Sequence, residues 1–139
     1  MAGDLTAFRA GLAANLATIP NVTISPYVLI NPTPPIVWIR PAPDILVAYH
    51  QAMRDGVEIW HLMVQATSGA LDDVTAQQML DALAASSGSS SIKQAVEADR
   101  TLGGHCQDLV VVECRNYVEF ARPDGSTLIG AEWGVEITA

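Results

Sequence analysis

The chain has 139 residues, of which 50% are hydrophobic and 16% are charged, a composition that excludes a disordered chain and fits one domain around a single core. Its 15 acidic and 7 basic residues give a formal net charge of −8, which excludes the basic footprint of a nucleic-acid binder. No apolar run reaches the length of a membrane span and the first residues do not resemble a signal peptide, so we expect a protein made and used in the cytoplasm, with no membrane partner.

The N-terminal third predicts one helix followed by a proline-rich region. Behind Asp4, a cap residue, apolar side chains recur at helical spacing at Leu5, Phe8, Leu12 and Leu16. The stretches "NVTISPYVLI" and "PPIVWIR" are rich in β-branched residues but interrupted by prolines, which predicts edge strands or extended arms rather than a central strand. Residues 45–56 are predicted to form a projecting loop or a hairpin arm. We therefore expect a single domain over residues 1–139, with a proline-rich arm and loop at about 31–56.

The middle of the chain predicts a buried strand and two helices. Residues 57–67 are apolar on both alternating sets, as in a strand covered on both faces. Asp72 or Asp73 can cap a second helix, which carries the apolar residues Val74, Met79, Leu80 and Leu83.

A third helix is predicted in the stretch "SSIKQAVEADRTLGGH". Ser91 and Gln94 form the pattern of a capping box, in which each side chain accepts from the other's backbone N–H. Ile92, Ala95 and Val96 would face the core, and Gly103 or Gly104 would end the helix in a left-handed conformation.

The C-terminal third predicts a β-hairpin that turns at Pro123–Gly125. In its first strand Val110, Val112 and Cys114 are predicted to share one face. In its second strand the alternating apolar residues from Ile129 to Ile137 share a face, with Gly and Glu opposite. The expected fold class is α+β, with a mixed, largely antiparallel sheet and two or three helices packed on one face.

The one cluster of residues with potential for catalysis or metal binding is His105, Cys106, Asp108 and Cys114. Ligand pairs at the spacing of a zinc site are missing, and Cys106 and Cys114 are too far apart along one straight strand to share a metal. We expect free, largely buried thiols, and assign no catalytic, cofactor-binding or metal-binding residue. His61, inside an apolar strand, is predicted to be a hydrogen-bonded core or interface residue rather than a catalytic base.

Several segments together resemble the small tail-terminator and head-to-tail connector proteins of long-tailed, siphovirus-type actinobacterial phages. The most recognisable are "PP" before the apolar strand "IVWIR", "YH" followed by a glycine and a strand with Trp60, and the Ser-capped helix that runs into "TLGG". The resemblance spans almost the whole chain. It implies a non-enzymatic α+β subunit without a cofactor, in a ring, typically a hexamer, that closes the head-proximal end of the tail tube and joins it to the neck.

The partners implied are other copies of the chain, the major tail tube protein, a neck or head-closure protein, and genomic DNA that passes through the lumen without sequence-specific binding. We place the tube or neighbour contact on the proline-rich arm and the following loop, with Tyr49, His50, Met53 and Arg54 as the expected interface residues. Two alternatives stay open. One is a head-closure or stopper ring protein, and the more distant one is a small enzyme or ligand-binding protein that uses His105 and Cys106.

Overall fold

The structure is a computed structural model, and it describes residues 3–28, 33–49, 58–70, 73–121, 123 and 125–139. The described elements run along the chain in the order α1 (Leu5–Leu16), β1 (Thr23–Ser25), β2 (Ile36–Pro41), β3 (Val47–Tyr49), β4 (Glu58–Ala70), α2 (Val74–Ala84), α3 (Ile92–Val96), β5 (Asp108–Ala121) and β6 (Thr127–Thr138). A six-stranded mixed sheet and three helices confirm the predicted α+β class.

The strand order in the sheet is β1-β2-β4-β6-β5, and β3 pairs with the first residues of β4. β1 and β2 are parallel, whereas every other pairing is antiparallel. The long C-terminal hairpin therefore forms one side of the sheet, and the proline-rich region forms the other. No helix in the described ranges is long and apolar enough to cross a membrane.

The three helices pack on one face of this sheet. Their buried residues, among them Phe8, Leu80 and Ile92, share one hydrophobic core with the strand residues Val64 and Trp133. In register, Val64 of β4 lies opposite Trp133 of β6, so this core uses the alternating set predicted for β6. Leu62, Met63 and Val64 are at most 2% exposed, so both alternating sets of β4 contain buried residues, although the helices cover only one of its faces.

Proline placement explains why β2 differs from its prediction. β1 is an edge strand, as expected, but β2 lies inside the sheet between β1 and β4, so its assignment to an edge or arm was wrong. Pro34 and Pro35 precede β2 and Pro41 ends it, and the residues between them keep their backbone N–H groups for pairing. Ile36, Val37, Trp38 and Ile39 are all buried.

The helix caps follow the sequence at α1 and α2. Asp4 Oδ1 accepts from the N–H groups of Thr6 and Ala7, at 3.0 and 3.4 Å, and Asp73 Oδ1 accepts from Thr75 N at 2.9 Å. In α2 the buried residues are Ala76, Leu80 and Leu83, and Val74 lies outside the core with 64% of its surface exposed.

Only half of the predicted capping box forms at α3. Ser91 Oγ accepts from Gln94 N at 3.1 Å, but Gln94 Oε1 accepts from Gly88 N at 3.0 Å instead of from Ser91 N. Ile92, Ala95 and Val96 are buried as predicted. The predicted glycine stop was wrong, because α3 ends at Val96 and Gly103 and Gly104 lie in the turn that follows.

Two bulges in β5 change which side chains share a face. Val112 is an extra residue between the pairs Val111–Val135 and Glu113–Gly134. Because one inserted residue reverses the alternation, Val110 and Cys114 lie on opposite faces and their predicted common face was wrong. The second bulge places Asn116 and Tyr117 opposite a single β6 residue, with Asn116 at φ 56°.

Candidate functional site

Of the four predicted interface residues, the structure describes only Tyr49. Tyr49 ends β3 and is 65% exposed, so its ring is available to a partner. His50, Met53 and Arg54 lie outside the described residues.

Four of the seven exposed large apolar side chains in the described part of the chain lie on two opposite sides of the sheet. Tyr27 and Val28, which follow β1, are 57% and 54% exposed; we call them and the neighbouring Arg9 the β1 edge. Val112 and Tyr117, on β5 at the other side, are 51% and 42% exposed; we call β5 and these side chains the β5 edge. The remaining ones are Ile45, Tyr49 and Val74.

The β1 edge is held in place by Arg9 of α1. Its Nη1 donates to the carbonyl oxygens of Pro26 and Ile39, at 2.9 and 3.1 Å, and its guanidinium carbon lies 5.3 Å from the centre of the Tyr27 ring. The distance fits a cation–π contact. Arg9 therefore fixes the chain just after β1 while it retains a positive charge that no described carboxylate neutralises.

The β5 edge is joined to α2 through Tyr117. Its hydroxyl donates to Asp81 Oδ1 at 2.6 Å, and Gln77 O lies 3.3 Å away. The hydrogen bond to Asp81 stabilises the protonated phenol and, together with burial and the carboxylate charge, raises the pKa of Tyr117 to about 12. The bulge thus directs an aromatic ring out of the strand and onto the helix.

Glu97, just after α3, accepts a hydrogen bond from a backbone N–H group of β5. Its Oε2 accepts from Val111 N at 2.9 Å and from Lys93 Nζ at 2.7 Å. Burial acts to raise the pKa of Glu97, but these two hydrogen bonds and the charges of Lys93 and Arg100 outweigh it and lower the pKa. The Glu97 carboxylate is therefore charged at neutral pH, and the Val111 N–H is not offered to another strand.

A shallow groove of about 260 Å³ crosses the sheet face opposite the helices. One wall is the loop Ala42–Ile45, and the other is formed by Val112, Glu113 and Arg115 of β5. The floor includes Met63, whose sulfur lies 3.4 Å from Arg115 Nη2, and Gly134. The groove joins apolar walls to exposed charges, as protein contact surfaces do.

His61 lies at this groove and is half-buried. Its Nδ1 lies 3.7 Å from Glu136 Oε1, and the two residues are register partners on β4 and β6. His61 is therefore not a fully buried core residue, and its role at an interface stays a prediction.

His105 and Cys106 do not form a nucleophile and base pair. The Cys106 thiol is buried and lies 3.4 Å from the carbonyl of Arg100, whereas His105 is exposed. Burial, aided by the charges of Asp108 and Asp99, raises the pKa of Cys106, which keeps the thiol protonated and weakly nucleophilic. Cys106 is free and buried as expected, but Cys114 is free and exposed, so its predicted burial was wrong.

Each lysine and arginine in the described ranges has a partner within the chain. Arg9 binds carbonyl oxygens, and the ion pairs are Arg40–Glu132, Lys93–Glu97, Arg100–Asp108 and Arg115–Glu113. Among the same residues, no three His, Cys, Asp or Glu side chains are grouped so as to hold a metal ion. Among the described cations, Arg9 alone is therefore not paired with a carboxylate.

No protein-family model matches this sequence, and no curated protein is significantly similar to it.

Sequence reasoning missed the exposed side chains of both edges, Tyr27 and Val28 on one and Val112 and Tyr117 on the other. Their exposure depends on strand order, which local periodicity does not give. One local signal was available at the second bulge, because asparagine tolerates the left-handed conformation that Asn116 adopts.

Proposed function

We propose that this chain is a structural virion protein, the tail terminator subunit of a long-tailed phage. Copies form a ring, expected to be a hexamer, that caps the head-proximal end of the tail tube. The ring contacts the major tail tube protein on one side and a neck or head-closure protein on the other. It is assembled in the host cytoplasm and resides in the virion.

The observation that carries this proposal is the placement of exposed apolar side chains on opposite sides of one sheet, at Tyr27 and Val28 and at Val112 and Tyr117. A ring built by rotation needs two different complementary patches on each subunit, because each copy meets one neighbour with each patch. A domain with such patches at opposite edges meets this requirement.

The charge of the chain supports passage of DNA through such a ring. The five described cations are all engaged within the chain, and the net charge is −8. A surface with a net negative charge does not attract the phosphate backbone. DNA can therefore move past it without being held.

A head-closure or stopper ring is the nearest alternative, because it would use the same two-patch architecture at the same junction. The two functions differ in their effect on tail length. A terminator stops addition of tube subunits, so its loss leaves the tube free to grow, whereas loss of a stopper leaves tails of normal length.

Deletion of the gene from the phage that encodes the chain tests the proposal. We expect unattached heads and overlong tail tubes in negative-stain electron micrographs, and restoration of normal particles when the wild-type gene is supplied in trans. Normal-length unattached tails would favour the stopper function instead. Infectious particles without the protein would contradict both.

The contact with the tube is tested by a double substitution, Tyr49→Ala with His50→Ala. Because the Tyr49 ring is exposed, the variant is expected to fold with an unchanged melting temperature. It is expected to fail in tail joining when it is the only copy supplied. Val74→Ala, which removes an exposed apolar side chain of α2, is the matched control. Normal infectivity of the double variant would show that this loop is not part of the interface with the tube.

A further inference from the structure

We infer that copies of this chain associate head to tail through the two sides of the sheet, so that the β1 edge of one copy contacts the β5 edge of the next. This inference rests on the proposed ring and identifies the surfaces that build it. The occupant of each edge is thus a second copy of the same chain.

The first argument is the distribution of charge along the chain. Residues 5–43, which form α1, β1 and β2, contain two arginines and no Asp or Glu, so all 15 carboxylates lie elsewhere. These elements make up the side of the sheet that ends at β1. The elements α1, β1 and β2 on this side therefore carry no Asp or Glu of their own.

The cations of this side differ in how they are neutralised. Arg40 Nη2 lies 3.3 Å from Glu132 Oε2 and is paired within the chain. Arg9 binds two carbonyl oxygens and the Tyr27 ring. The β1 edge therefore combines an uncompensated positive charge with the exposed side chains of Tyr27 and Val28.

The β5 edge has the opposite character. β5 carries three carboxylates, Asp108, Glu113 and Glu119, against one arginine, Arg115. Asp108 and Glu113 each pair with an arginine, whereas Glu119 has no cation partner among the described residues. Val112 provides the exposed apolar surface beside these carboxylates. The two edges are therefore complementary both in charge and in apolar contact area.

Charge also argues against a symmetric contact. Two β5 edges placed together would bring carboxylates against carboxylates, which costs free energy. Growth by continuous strand addition is hindered as well, because β5 is interrupted by two bulges and its Val111 N–H is bound by Glu97. A head-to-tail contact through side chains is the arrangement that remains.

Two charge insertions test this contact with the full-length protein. Val28→Glu places a carboxylate on the β1 edge, and Val112→Glu places one on the β5 edge. Both positions are more than half exposed, so both variants should fold, which circular dichroism and thermal melting check. Val74→Glu makes the same change on α2, outside both edges, and is the matched control.

Native mass spectrometry and sedimentation velocity report the outcome. Wild type and Val74→Glu are expected to form the same oligomers. Each edge variant alone is expected to associate about 30-fold or more weakly, the loss typical of a disrupted central contact. An equimolar mixture of the two edge variants should form a one-to-one dimer that does not grow, since only one intact pair of edges remains.

Other outcomes overturn the inference. If Val28→Glu alone assembles like wild type, the contact is symmetric through the β5 edge or lies elsewhere. If Val112→Glu alone assembles like wild type, the contact is symmetric through the β1 edge or lies elsewhere. A mixture that stays monomeric, or a wild type that is monomeric at every concentration, shows that the edges do not meet. Association should weaken as salt is added, whereas a contact between two acidic edges would strengthen.

This experiment can fail while the proposed function stands. It measures only the mass of purified protein, whereas tail closure is measured by the length of tubes in the deletion phage. If the deletion phage makes overlong tubes but both edge variants assemble like wild type, the terminator function stands and the two edges are not the contact. If the edge variants fail to assemble but the deletion phage makes normal particles, the contact between edges stands and the terminator function is wrong.

Discussion

At the residue scale, the carboxylate of Glu97 links α3 to β5. It accepts hydrogen bonds from Lys93 in α3 and from Val111 in β5. Replacement by glutamine keeps the size but removes the charge that both donors face. We expect Glu97→Gln to lower the free energy of unfolding by about 1–2 kcal/mol at neutral pH, measured by urea denaturation.

The same carboxylate gives a pH dependence with a definite sign. The pKa of Glu97 is lowered in the folded state, so its contribution is present above the ordinary glutamate pKa and is lost as the pH falls through the lowered value. The difference between wild type and Glu97→Gln should therefore shrink in acid. Asp44→Asn, at an exposed carboxylate outside both edges, serves as the control and should show little difference between the two conditions.

Tyr117 makes the second prediction at this scale. Because Asp81 stabilises its protonated hydroxyl, the pKa of Tyr117 is raised to about 12. Its contribution to stability is therefore present below the ordinary tyrosine pKa and declines as the pH rises above it. In an ultraviolet absorbance titration, Asp81→Asn should return one tyrosine to the ordinary range. An unchanged titration would show that the hydrogen bond is absent. Tyr117→Phe should cost less than about 1 kcal/mol, because the ring is 42% exposed.

At the scale of elements, the five-residue helix α3 depends on its buried cap. Ser91 is 1% exposed, and its Oγ accepts from Gln94 N and donates to Ala85 O at 2.6 Å. Ser91→Ala would leave both backbone groups without this partner, so we expect a loss of about 1–2 kcal/mol in the free energy of unfolding. Ser89→Ala, at an exposed position, is the control. Equal stability of the two variants would contradict the role of the cap.

The β4–β6 pairing makes a second prediction at the same scale. A Cβ added at Gly130 would lie 2.6 Å from the carbonyl oxygen of Ala66, whereas one at Gly134 would lie 3.3 Å from side-chain atoms of Glu113 and Val112. Backbone cannot move aside as a flexible side chain can. Gly130→Ala should therefore destabilise the sheet by about 1–3 kcal/mol, and clearly more than Gly134→Ala. Thermal melting of the two variants compares them directly.

Most of these elements could be predicted from local sequence, because caps and periodicity are local. Asp4, Asp73 and Ser91 cap helices where expected, and the apolar set of β6 faces the core. The errors arose where tertiary pairing decides the outcome. The sequence does not reveal that β2 has partners on both sides, nor that a bulge at Val112 turns Cys114 away from Val110.

At the scale of the whole molecule, the candidate surfaces were predicted only in part. Tyr49 is exposed and its role at an interface stays a prediction, whereas the two edges can be identified only once the strand order is known. The strand order also shows where the segment without carboxylates lies, since it places β1 and β2 together on one side of the sheet. The uneven distribution of charged residues along the sequence therefore becomes a difference in charge between the two sides of the sheet.

The most direct test of the terminator function is cryo-electron microscopy of the intact particle at the junction of head and tail. The account predicts a ring between the tube and the neck whose subunits fit this six-stranded sheet and its three helices. Mass spectrometry of the same particles should detect the chain. Its absence from the particles, or its presence away from the head-proximal end of the tube, would contradict the account.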